Sequence, residues 1–167
     1  PPPPPPPFSS RRRHTRCQIQ SRGLGDVYKR QPYYFMSALA YMEEQDGNMD
    51  LAVDWRRKAY EKSTGPATRI RWWARYTQAV VRMVPEQPEA IDAAAMAIFT
   101  ETELLGQIFA GANFRNLQNT TNALQGWDEE HNADQSKLGA YHAAIKSLCS
   151  EQAPGSSAYV SCTSLLP

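Results

Sequence analysis

From Pro32 to the C-terminus, helix-breaking residues recur at intervals of about three to five helical turns, and runs of β-branched residues are absent. A sheet needs apolar residues at alternate positions, whereas a helix buries a face through residues three and four apart. Only the second pattern runs through this stretch. The predicted fold class is therefore all-α: antiparallel helical hairpins packed as a bundle of about six helices in one domain, residues 32–167. The whole chain has 167 residues, which suits one ordinary globular domain and excludes most large enzyme folds.

Tyr34, Met36, Leu39, Ala40 and Tyr41 lie on a first predicted helix that stops at Asp46-Gly47-Asn48. On the second, Leu51, Ala52, Trp55, Ala59 and Tyr60 recur at helical spacings, and Arg56, Arg57, Lys58, Glu61 and Lys62 fill much of the other face. A turn this short forces the two helices to pack antiparallel. Thr64-Gly65-Pro66 separates the second helix from a third, in which Ile70, Trp73, Ala74, Val80 and Met83 share one face and Trp72 and Tyr76 a neighbouring stripe. Pro85 stops it, and Pro88 opens a fourth helix through Ile91, Ala95, Ile98 and Phe99. Phe114, Leu117, Leu124 and Trp127 step along a fifth, and Leu138, Tyr141, Ile145 and Leu148 form the seam of a sixth. Residues 155–166 are expected to add a short last turn.

The hairpin over residues 32–63 resembles a tetratricopeptide repeat, with Leu39, Ala40, Gly47, Ala52 and Ala59 at the matching positions. Small residues there let two backbones approach, and glycine supplies the turn. One aromatic of the pattern falls at Glu43, and an ordinary helix hairpin explains the same residues. A single repeat does not make an extended array, because a solenoid needs about three to bury a continuous core.

Residues 1–31 are of a different kind. Seven prolines lead into a segment with seven basic residues and one acidic, Asp26, leaving 11 basic and 16 acidic residues in the rest. Without apolar periodicity the segment has no means of burying a core, and it is expected to be a disordered tail. As protein it suits a polyanion or an SH3-like groove. The wording FSSRRRHTRCQIQSRGLGDVYKRQ, however, resembles the in-frame translation of a sequencing adapter, of the kind met in metagenomic assemblies. On that reading the tail is non-native, His14 and Cys17 leave the inventory, and the domain is a fragment that starts mid-gene near Gln31.

Signs of catalysis are sparse. His131 and His142 are the only histidines after the tail, and no HExxH, CxxC, GxSxG or phosphate-loop pattern accompanies them. Asp128-Glu129-Glu130-His131 reads as a solvated helix end rather than a metal site. Glu43 and Glu44 are adjacent on a helix and point in different directions. No cofactor or metal is expected, and no run of 18 apolar residues exists to span a membrane. Arg69, Arg71 and Arg75 beside Trp72, Trp73 and Tyr76 superficially suit nucleic acid, but the acidic remainder argues against it, and arginine stems packed over rings explain them better. Cys149 and Cys162, 13 positions apart around Pro154-Gly155, suit either a disulfide or two buried thiols. A bridge would indicate an oxidising compartment.

Gly65-Pro66-Ala67-Thr68-Arg69, Trp73, Tyr76 and Pro85, then Arg115-Asn116-Leu117, Leu124 and Trp127, and finally Leu148-Cys149 and Cys162 resemble the helical C-terminal region of some bacterial thioredoxin family proteins. The resemblance implies an exported, periplasmic or secreted protein whose thiol-disulfide centre lies in an upstream thioredoxin-like domain. This chain departs from the family in having no CxxC, so redox catalysis is carried over to no residue.

Two functions follow from these observations. One is a non-catalytic accessory region of an exported thioredoxin-like protein; the other is a helical protein–protein interaction module that takes a peptide or protein partner. A binding surface would draw on Arg69, Trp72, Trp73, Tyr76, Arg115, Asn116 and Trp127, since aromatic residues and arginine anchor interfaces. The competing reading puts the tryptophans in the core, and in a small helical domain it takes precedence.

Overall fold

The computed structural model describes residues 31–101, 104, 106, 108–131 and 138–166. The tail expected over residues 1–31 lies, apart from Gln31, outside the described residues, and Pro167 does too. Among the described residues the fold is all-α, with no strand. The helices are α1 (Pro32–Gln45), α2 (Met49–Lys62), α3 (Pro66–Met83), α4 (Pro88–Met96), α5 (Gly111–His131), α6 (Gly139–Ser150) and α7 (Ser157–Thr163), with a 3-10 turn at Ala97–Thr100 after α4. The expected last turn is thus a helix of its own, and the Ser156 side chain caps it by accepting from the Tyr159 N–H.

Proline opens α1, α3 and α4, where the missing N–H is one that the first turn leaves unpaired anyway. Gly47 has φ +82°, a conformation glycine adopts without strain, and it turns the chain between α1 and α2. Asn48 Nδ2 braces that turn by donating to Glu43 Oε2 at 2.9 Å. Gly65, before α3, combines φ +82° with ψ 141°, close to a region that only glycine populates.

Contacts between α1 and α2 are the most extensive in the fold, and Ala40, Ala52 and Ala59, all fully buried, belong to this pair. The inner face of α1 takes only part of its apolar residues. Tyr33 and Ala40 are buried, while Leu39 and Tyr41 are exposed along with Phe35 (51%) and Met42 (60%). Apolar residues nearly surround this helix, so its own periodicity does not choose the side that packs.

Helix α3 sits at the centre and contacts α2, α4 and α5. Both of its predicted stripes are buried, from Ile70 to Met83. Trp73 Nε1 and Thr77 Oγ1 donate to the same Ala94 carbonyl, at 2.9 and 3.1 Å, tying α3 to α4. Gln78 Nε2 donates to Thr120 Oγ1 of α5 at 2.9 Å. Buried Tyr141 of α6 shares a 2.7 Å hydrogen bond with Thr121 of α5. Cys149 and Cys162 are joined by a disulfide, with Cα atoms 5.5 Å apart, which clamps α7 against the end of α6.

Candidate functional site

The arginines and aromatics expected on a binding surface divide between the core and one ionic network. Trp72 and Trp73 are 1% and 0% exposed, and Trp127 and Tyr76 are also buried, so the surface reading is corrected at these four positions. Burial of the large rings removes more apolar area from water than any other choice of face for α3. Trp127 Nε1 donates to the Pro85 carbonyl at 2.8 Å, fixing α5 to the end of α3. Arg115 is exposed and Asn116 half-buried on α5.

Arg69 is occupied internally. Its Nε and Nη2 donate to the two carboxylate oxygens of Glu101, Nη1 donates to the Ser63 carbonyl at 2.8 Å, and the guanidinium lies 4.9 Å from the Tyr60 ring centre. The Tyr60 hydroxyl also donates to Glu101. The hydrogen bonds from Arg69 hold the Glu101 carboxyl below its ordinary pKa, against the opposing effect of burial. Burial, reinforced by Glu101, pushes the Tyr60 phenol well up.

The acidic run before His131 is split. Asp128 is buried, Glu129 and Glu130 are exposed, and a His131 ring nitrogen lies 3.0 Å from the Trp127 carbonyl. Gln125, Asp128, Glu129, Leu138, His142, Ser164 and Leu166 line a cleft of about 520 Å³. Serine, histidine and aspartate meet there without forming a relay: His142 Nε2 makes no hydrogen bond among the described residues, and Ser164 Oγ donates to the Ser161 carbonyl. Among the described residues no group of three or more His, Cys, Asp or Glu side chains is placed to hold a metal ion. No helix among them is long and apolar enough to cross a membrane.

A second cleft, of about 390 Å³, is lined by Arg56 of α2 and by Arg75, Gln78, Ala79 and Arg82 of α3. Arg75 and Arg82 are seven positions apart, two helical turns, with Gln78 between them on the same side. Arg82 pairs with Glu44 of α1. This hydrogen bond lowers the Glu44 pKa, although burial opposes it. Arg56 is half-buried and donates through Nη1 to Ser37 Oγ at 2.6 Å. Burial depresses the Arg56 pKa; Glu44 opposes the change, while Arg75 and Arg82 add to it. Arg75 lies over the Trp72 ring, 4.8 Å from its centre. Among the described residues no carboxylate forms an ion pair with Arg56 or Arg75.

Comparison with protein-family models, with curated proteins and with solved structures finds no match to any of them. The functional reading therefore rests on the disulfide and on the geometry of the clefts and the ionic network. Sequence reasoning missed Arg56 and Arg82 because each looks like one cation among several on a charged face. The heptad spacing of Arg75 and Arg82 was the available signal.

Proposed function

We propose that the domain is a non-catalytic helical accessory region of an exported, periplasmic or secreted protein, of the kind the thioredoxin-family resemblance implies. The observation that carries this reading is the Cys149–Cys162 disulfide. Structural disulfides persist in oxidising compartments and are rare in the cytosol. With no CxxC in the chain, thiol-disulfide chemistry falls to a thioredoxin-like domain outside these residues, and this region supplies stability or contacts. The test is alkylation in denaturant, with and without reductant, of protein isolated from an oxidising and from a reducing compartment, read by mass spectrometry. A pair that needs reductant to react, and a domain that loses stability when it stays reduced, support export. Two free thiols in protein from the oxidising compartment count against it.

A second reading, a tetratricopeptide-like interaction module, is favoured by the α1–α2 hairpin, whose Ala40, Ala52 and Ala59 are buried without residue and whose turn is made by Gly47. It is supported further by the exposed apolar stripe of Phe35, Leu39 and Met42 on α1. A peptide array probed with the oxidised chain tests it. Retention of a defined sequence class supports the module, and a blank array at micromolar protein counts against it.

A further inference from the structure

The cleft between α2 and α3 brings three arginines together, and Glu44 is the carboxylate that acts on them. Among the described residues only Arg82 of the three forms an ion pair with a carboxylate, Glu44. Arg56 is half-buried and donates to the neutral Ser37 hydroxyl, and among the described residues Glu44 acts on it without a direct ion pair, whereas charges withdrawn from water are ordinarily paired directly. Arg75 is held by the Trp72 ring, which orients its guanidinium without cancelling its charge. Gln78 adds an amide to the same wall, although its Nε2 is engaged with Thr120. Guanidinium forks in a concave site match the geometry of oxyanions.

We propose that this cleft is a binding site for the carboxylates of an acidic peptide segment, with Arg56 and Arg75 as the primary contacts and Arg82 shared with Glu44. The proposal rests on the reading of the domain as an interaction module, and gives that module its ligand class. Nucleic acid fits less well. Residues 32–167 carry 16 acidic against 11 basic residues, and the rings that bases would stack on, Trp72 and Trp73, are buried. The tail is excluded as an occupant by its own charge, since seven of its residues are basic and one is acidic.

The test uses the full chain in oxidised form, with hexaglutamate and inorganic phosphate as probes and titration calorimetry at low and moderate salt as the readout. The basic tail attracts any acidic peptide, so the double variant Arg56→Gln/Arg75→Gln is compared with Arg11→Gln/Arg12→Gln, which changes net charge equally. Circular dichroism verifies that each folds, and Arg75→Glu alone, at an exposed position, is the reserve if the double variant does not. The expected result is salt-sensitive hexaglutamate binding that the cleft variant weakens about tenfold or more and the tail variant weakens much less. Phosphate at the same concentration is expected not to displace the peptide. Equal losses in the two double variants overturn the cleft while leaving the interaction-module reading to its own array test. Displacement by equimolar phosphate, or no hexaglutamate binding at all, overturns the acidic-peptide assignment.

Discussion

Arg69 grips Glu101 with both arms of its guanidinium across 32 positions of sequence, and in doing so ties the start of α3 to the segment that follows the 3-10 turn. The same arginine reaches back to Ser63, so one side chain fixes the α2–α3 connection on two sides. Removing the charge by Glu101→Gln is expected to cost about 1–2 kcal/mol at neutral pH, measured by urea unfolding. The pKa of Glu101 is lower folded than unfolded. Its contribution is therefore complete above the ordinary carboxylate range and is lost as pH falls through the lowered value. The acid limb of the stability curve should flatten in the variant.

The Cys149–Cys162 bridge closes a loop of 13 positions near the C-terminus. In the chain-entropy account a loop of this size contributes about 3 kcal/mol, so Cys149→Ser/Cys162→Ser should lower the melting temperature by several degrees. Adding reductant to the native protein should approach the same value, and a second reductant step in the double variant should be absent.

Tyr141 predicts the alkaline behaviour. Burial pushes its phenol up to about 12, with the Thr121 hydrogen bond working slightly the other way. A raised folded pKa means that the stability is complete below about pH 10, the ordinary tyrosine value, and is lost as pH rises from there through about 12. Tyr141→Phe should cost about 1 kcal/mol at neutral pH, because the buried Thr121 hydroxyl loses its partner. It should also make unfolding above pH 10 less steep, which spectroscopic titration of the remaining tyrosines against circular dichroism would reveal.

Gly65→Ala tests the backbone rather than a contact. No atom lies within 4 Å of where the new Cβ would sit, so the cost comes from φ +82° alone. A loss of about 1–3 kcal/mol is expected, against a small change for Gly126→Ala inside α5, where the glycine has ordinary helical geometry and open space around it. Equal effects at the two sites would remove the strain argument.

Much of this fold is written in local signals. Prolines at three helix starts, glycines at turns and three- and four-residue spacings locate the helices without any knowledge of their neighbours. That Cys149 and Cys162 could pair was legible for the same reason, since both lie beside one turn; that they do pair was not. What escaped is what depends on tertiary geometry. Leu39 and Tyr41 look as buriable as Tyr33, and only the approach of α2 and α3 chooses between them. Glu101 gives no sign in the sequence that Arg69 is its partner. Arg56 is one of three successive cations on α2, and it becomes distinctive only when the crossing of α2 and α3 sets it near Arg75 and Arg82.

The central place of α3 has a kinetic counterpart. Because its side chains form the wall against which α2, α4 and α5 rest, its backbone amides in the middle turns cannot reach solvent by local fraying; they must wait for the whole bundle to open. Deuterium uptake at Trp73 to Val80 should therefore report global unfolding, while the amides of α1, docked mainly on α2, exchange through smaller openings.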